Sequence, residues 1–253
     1  MESQETFLSH LIELRDRLIR CLLAIAIAFG PAMWFGAELY DLLARPVIAS
    51  LPEGSKMIAT GVITPFLIPV KIAALAALLA VLPYVLYQVW AFVAPGLYAH
   101  EKRLVLPLVV SSTVLFFAGM AFCYFFVFGQ VFEFINKFAP KSISVAPDIE
   151  AYFNFMLGMF VAFGLAFEIP VIVVVLAITG IVKIEQLREW RGYVIVGIFV
   201  VAAIVTPPDV VSQLALAFPM CFLYEVGIVF AQLATRGRRA EEVAAQPAEP
   251  SKE

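Results

Sequence analysis

Apolar residues run along this chain in six long blocks, covering about 18–35, 65–92, 106–128, 152–178, 193–205 and 211–233. None shows the strict alternation of a half-exposed strand, and most approach the ~20 residues that carry a helix across a hydrocarbon core about 30 Å thick. The pattern predicts an all-α membrane protein with six transmembrane helices. The fifth block is only 13 residues long and turns at Thr206-Pro-Pro-Asp209 into the sixth with almost no loop. A hairpin that short must thin the bilayer, admit water or lean on longer neighbours. Pro31, Pro83, Pro170 and Pro219 interrupt four of the other blocks. Proline kinks a helix, so a concave wall of bowed helices is expected in place of a straight bundle.

Composition agrees with the pattern. Of the 253 residues 62% are hydrophobic and 15% charged, with a mean hydropathy of +0.95, far outside the range of a soluble domain. Read alone, the first block resembles a cleavable signal, because Arg15, Arg17 and Arg20 precede an apolar core. The five blocks behind it favour a retained helix. Cys21, Cys123 and Cys221 all sit in apolar runs with no paired spacing, and read as small buried hydrophobes. The basic residues set the orientation. With the N-terminus inside, the inner segments hold 12 of the 17 Lys and Arg. Both termini are then cytoplasmic. Residues 1–235 read as a single membrane domain, and 236–253 as a charged, disordered tail. No internal repeat is visible.

Two segments and one buried charge carry candidate chemistry. Glu168 lies in the apolar run Met156–Ile178, where a carboxylate costs at least ~2.5–3.5 kcal/mol. Two residues later Pro170 leaves the Ala166 carbonyl without its helical partner. Glu168 is either a protonated, hydrogen-bonded group between helices or a mechanistic one. The segment His10–Leu18 reads as an amphipathic helix start with Leu11, Leu14 and Leu18 on one face. Its Glu13 and Arg17 form an i,i+4 pair worth ~0.2–0.5 kcal/mol. The loop from Gln88 to Arg103 reads as an interfacial belt, with Trp90 and Tyr98 at headgroup level.

The segments His10-Leu-Ile-Glu-Leu-Arg-Asp-Arg17, Gln88–Pro95 with Leu97–Glu101, Phe163–Pro170 and Thr206–Gln213 occur in that order. Together they make the chain resemble the TatC family, the polytopic receptor subunit of the twin-arginine protein translocase. The resemblance implies a glove-like cupped fold and recognition of signal peptides bearing two consecutive arginines at the cytoplasmic face. It assigns Glu13 and Glu101 to the arginine guanidiniums, with Arg17, Phe92, Pro95, Leu97 and Tyr98 shaping the same surface. A carboxylate accepts two parallel bonds from a planar guanidinium, which an ammonium cannot reproduce. The resemblance makes Glu168 a polar docking point for a partner helix or for the inserted signal hairpin. It gives Thr206, Asp209 and Gln213 hydrogen bonds to a partner helix, and Pro46 and Pro170 structural roles. Glu225 stays ambiguous with helix-end snorkelling. The implied partners are the single-span subunits TatA and TatB, further TatC copies, twin-arginine precursor proteins and membrane lipid. No cofactor, metal or nucleic acid is implied. The implied setting is the bacterial cytoplasmic (inner) membrane, with export driven by the proton-motive force.

Two other classes compete on the residues alone. A proton- or ion-coupled secondary transporter would use Glu168 as a relay, but a relay ordinarily needs further central acids or histidines. An intramembrane enzyme would need a motif such as HExxH or paired membrane aspartates. The sequence has neither, and His10 and His100 both lie at the expected cytoplasmic edge.

Overall fold

Proline decides where the apolar blocks bend. The computed structural model describes residues 2–50, 57–93, 105–138, 147–206 and 210–245, and among these it is helical apart from turns and one extended segment bridging Ile58 to Asp148. The second block divides into α3 (Thr64–Ala80) and α4 (Leu82–Val93), which meet at 58°. Pro83, in the first turn of α4, has no N–H for the Leu79 carbonyl, and its ring crowds that carbonyl. The fourth block divides into α7 (Ile149–Ala166) and α8 (Ile169–Ile178), with Pro170 in the first turn of α8. Helix α7 therefore ends on Ala166, the residue whose carbonyl Pro170 leaves unpartnered. Pro31 and Pro219 are instead accommodated inside α1 (Glu2–Trp34) and α11 (Val210–Ala245).

Four stretches are long and apolar enough to cross a membrane: Ser9–Trp34, Val105–Phe134, Ile149–Ile178 and Val210–Thr235. The bent α3–α4 pair forms a fifth, and the short apolar helix α10 (Arg191–Val205) completes the six expected blocks. At ~1.5 Å per residue, α10 is about 22 Å long and falls short of a full crossing, as its sequence predicts. The third block extends further than its apolar run suggests. A π-turn at Cys123–Val127 joins α5 (Val105–Phe122) to α6 (Phe128–Phe138), so the helix continues ten residues beyond Phe128. Gln130, Glu133 and Asn136 recur there at helical spacing among Phe, Val and Ile, which keeps the segment helical once it leaves the apolar layer. Helix α11 likewise carries its backbone to Ala245, into the stretch expected as tail. That stretch is rich in Arg, Ala and Glu, all good helix formers, and meets no proline before Pro247.

The fourth block is the centre of the fold. Half of its apolar window is buried inside the protein, against 6% for α1, whose sides face outward. Phe153, Met156, Met159 and Phe163 of α7 are fully enclosed. Helix α5 approaches α7 through reciprocal glycine contacts. A Cβ at Gly119 would meet the Phe163 carbonyl and the Phe167 ring, and one at Gly164 would meet the Phe116 ring. Only glycine permits so close an approach.

The far end of the bundle is stapled. Helix α2 (Gly36–Ser50) contains Pro46, which leaves the Leu42 carbonyl without a helical donor. The Tyr124 hydroxyl from the π-turn donates to that carbonyl at 3.0 Å, and the Tyr152 hydroxyl donates to Leu43 O at 2.9 Å. The residues before α3 pair with the start of α7: Ile58 N–H donates to Pro147 O and Ile149 N–H to Ile58 O. Asp148 caps α7 by accepting from Ala151 N–H, and also accepts from Thr60 Oγ1 at 2.7 Å and Thr60 N–H at 3.1 Å. These bonds, led by the Thr60 hydroxyl, hold the Asp148 carboxyl below the ordinary aspartate range. Beside it, Thr64 Oγ1 donates to Glu150, and Lys71 Nζ donates to Asn154 and lies 3.7 Å from Glu150.

Candidate functional site

At the opposite end from the staple, the first turns of α1 lie antiparallel against α4. Arg17 meets Gln88, and two turns nearer the start of α1 His10 stacks on Phe92, ring centroids 4.3 Å apart and 20° from parallel. His10, Glu13 and Arg17 are spaced i, i+3 and i+7, so one helical face presents all three to Gln88 and Phe92. Arg17 is the hub. Its Nε and Nη2 donate to the single oxygen Glu13 Oε1 at 2.9 and 2.6 Å, and its Nη1 donates to Gln88 Oε1 at 3.0 Å. The second carboxylate oxygen, Glu13 Oε2, faces His10 Nδ1 at 4.0 Å. Gln88 is buried, so Arg17 satisfies an amide that would otherwise lose its partner in the interior. Chemically this is a guanidinium-binding carboxylate with an aromatic platform beside it. It is half-open to its surroundings.

Of the residues expected at this surface, the structure brings together Glu13, Arg17 and Phe92. Pro95, Leu97, Tyr98 and Glu101 lie outside the described residues. His10 and Gln88 join Glu13, Arg17 and Phe92 there, beyond the residues the resemblance implies. The i, i+3, i+7 spacing of His10, Glu13 and Arg17 was the available signal for His10, whereas the approach of Gln88 needed the tertiary fold.

A second polar locus lies inside the bundle. Glu168, at the start of α8, is 6% exposed, and neither carboxylate oxygen has a hydrogen bond of good geometry among the described residues. The Ser112 hydroxyl of α5 lies within hydrogen-bonding reach of the carboxyl, though not in good geometry. The Ser112 hydroxyl accepts from Trp90 Nε1 at 2.9 Å. The Trp90 ring therefore turns into the protein rather than outward to lipid headgroups as its sequence position suggests. It is 7% exposed, because a buried hydroxyl satisfies its one polar group and lets the ring pack among Val109, Val171 and Val175.

The short hairpin uses its polar groups internally. Thr206 Oγ1 donates to Ala202 O at 2.8 Å, and Gln213 Nε2 donates across to Phe199 O at 3.3 Å. Asp209 lies outside the described residues. Glu225 accepts from Arg191 Nη2 at 2.6 Å, tying α11 to the start of α10, and Tyr224 donates to Leu187 O of the short helix α9 (Ile184–Glu189). Pairing, rather than snorkelling alone, accounts for Glu225. Among the described residues no three His, Cys, Asp or Glu side chains gather as a metal-ligand set.

Comparison with known proteins points one way. Residues 9–219 match the family model described as Sec-independent protein translocase protein (TatC). The chain is similar to the Sec-independent protein translocase protein TatC of Escherichia coli K12, at 47% identity over 96% of this chain and 94% of that one. It is similar to that of Azotobacter chroococcum at 48% identity over the same shares, and to that of Haemophilus influenzae at 44% over 92% of this chain and 91% of its own. A crystal structure of the twin-arginine translocase receptor TatC superposes with a TM-score of 0.79 at 38% identity, over 89% of this chain and 99% of that one. With a family match across most of its length and relatives this similar, the chain belongs to the TatC family of Sec-independent protein translocase proteins.

Proposed function

We propose that this chain is the subunit of a twin-arginine translocase that recognises signal peptides with two consecutive arginines and, with TatA and TatB, exports folded precursor proteins. The observation that carries the reading is the Glu13 carboxylate at the α1–α4 seam, already engaged by a forked guanidinium and lying beside the His10–Phe92 stack. A site that holds one guanidinium in this manner has the geometry to hold another. Glu101, with Pro95, Leu97 and Tyr98, supplies the second half of the surface. The medium is the bacterial inner membrane, both termini cytoplasmic, with the Glu13 end on the cytoplasmic side. Residues 1–235 act as one membrane unit, and lipid and other copies of the chain are further partners.

Glu168 serves as a polar docking point for a partner helix or the inserted hairpin. Its buried oxygens and lack of a well-formed partner support this, since an incoming polar group would gain a hydrogen bond that lipid cannot offer. On the short hairpin the partner-helix role falls to Asp209, because Thr206 and Gln213 already donate to Ala202 O and Phe199 O. The proton-motive force drives export, each charge crossing 100 mV gaining ~2.3 kcal/mol. The coupled-transporter reading draws no comparable support: among the described residues Glu168 is the one fully buried ionisable carboxylate, and a relay needs a succession of such groups.

The test is binding of a twin-arginine precursor to membranes holding wild type, Glu13→Gln or Glu101→Ala, with a twin-lysine precursor as control. Loss of binding in both variants and in the control, at normal protein level, is the expected outcome. Binding indifferent to the arginines removes the receptor reading. For Glu168, export by Glu168→Gln and Glu168→Ala is compared, and normal export by both removes the docking role.

A further inference from the structure

The Glu13 carboxylate is not vacant. Both fork nitrogens of Arg17 sit on Oε1, so the chain carries, four residues away on the same helix, the chemical group that the site is proposed to receive. We infer that Arg17 is an exchangeable internal guanidinium, and that signal-peptide arginine binds Glu13 by displacing it. This inference rests on the receptor reading above and gives Arg17 a specificity-determining role within it.

Three features favour exchange over addition. The first is the fork itself. Two parallel bonds from an incoming guanidinium need both carboxylate oxygens, and Oε1 already accepts from Nε and Nη2 of Arg17. The second is the approach. Because both nitrogens crowd onto Oε1, Oε2 faces only His10 Nδ1, at 4.0 Å, among the described residues, which makes it the oxygen where an incoming guanidinium first lands. The third is a holding point for the displaced group. Arg17 Nη1 is anchored separately on Gln88 Oε1, so the fork can leave Glu13 while the side chain stays on α4.

Exchange has a consequence for recognition. Replacing one forked guanidinium by another on the same carboxylate changes the number of ion pairs by none, and Arg17 is tethered at high effective concentration. The first substrate arginine therefore gains little, and net affinity depends on a second arginine meeting a second carboxylate. Arg17 thereby turns a site for one arginine into a site that requires two. A lysine ammonium cannot displace it efficiently, having no fork to match.

The experiment measures binding of three synthetic signal peptides, with Arg-Arg, Lys-Arg and Lys-Lys at the paired positions, to the detergent-solubilised full-length protein. Wild type is set beside Arg17→Gln and Arg17→Lys. Glutamine is chosen because its amide can still pair with Gln88. In Arg17→Gln the Lys-Arg peptide is expected to bind about two- to fivefold tighter, the range an ion pair at this exposure supports. The Arg-Arg to Lys-Arg preference should shrink accordingly, with Arg17→Lys in between. A preference unchanged in both variants, or binding weakened equally for all peptides, overturns the exchange while leaving recognition intact, provided wild type still separates Arg-Arg from Lys-Lys. If Arg17→Gln does not yield folded protein, Arg17→Lys decides alone by the same ratio. Should wild type itself fail to separate Arg-Arg from Lys-Lys, the receptor reading falls and this inference with it.

Discussion

A single methyl group added at Gly119 should force α5 away from α7 at the turn that carries Glu168. A Cβ there would overlap the Phe163 carbonyl, which is backbone and cannot rotate aside, and would sit 2.9 Å from two atoms of the Phe167 ring. Ordinary carbon contacts begin near ~3.5 Å, so the ring contact alone requires about 0.6 Å of separation and the tighter carbonyl overlap requires more. Overpacking of this kind costs ~1–3 kcal/mol, and the better helix propensity of alanine returns ~0.5–1 kcal/mol. The expected net loss is about 0.5–2 kcal/mol. Gly158 of α7 and Gly129 of α6 are the controls, because a Cβ at either meets nothing within 4 Å. Alanine at those positions should be neutral or stabilising by up to ~1 kcal/mol. Denaturation of the detergent-solubilised protein can be followed with a thiol-reactive dye, since Cys123 is fully buried in the core and reacts only when the core opens. Gly119→Ala as stable as wild type, with the two controls behaving as stated, would refute the close approach of α5 to α7.

Three further outcomes follow from other contacts. Trp90→Phe and Ser112→Ala should each lower stability by ~1 kcal/mol, and the double variant should lose less than the sum of the two, because one hydrogen bond is removed in either case. Tyr124→Phe should cost ~0.5–1.5 kcal/mol in the same denaturation assay by taking the donor from the Leu42 carbonyl that Pro46 leaves free. Asp148 has a folded pKa below its ordinary value of 3.8, so its contribution is present above that pH and is lost as pH falls through the folded value. Wild type should accordingly lose thermal stability below pH 3.8 more steeply than Asp148→Asn, and identical acid profiles would contradict the staple.

The layout of the helices was legible because the bilayer imposes it. A run of apolar residues has few options in lipid, and Pro83 and Pro170 mark the α3–α4 and α7–α8 breaks directly in the sequence. What periodicity could not show was where polar groups end their hydrogen bonds. Trp90 looked interfacial because the sequence does not reveal Ser112, 22 residues away, as its acceptor. Pro46 could be read as shaping a loop, but the tyrosine that occupies its orphaned carbonyl comes from a π-turn in another span. At the candidate site the Glu13–Arg17 pair was readable from its i,i+4 spacing. Its anchoring by Gln88 depends on α1 and α4 running antiparallel, which the spacing of residues within either helix does not encode.

The most direct test of the account is where the arginine pair of a signal peptide rests on this protein. A photo-crosslinker placed beside the two arginines of a precursor, activated in membranes and mapped by mass spectrometry, should label the segments around His10–Arg17 and Gln88–Phe92. Labelling should disappear when the arginines are changed to lysine. Crosslinks that fall instead near Thr60 and Asp148, at the stapled end, or that persist with lysine, would contradict recognition at the α1–α4 seam.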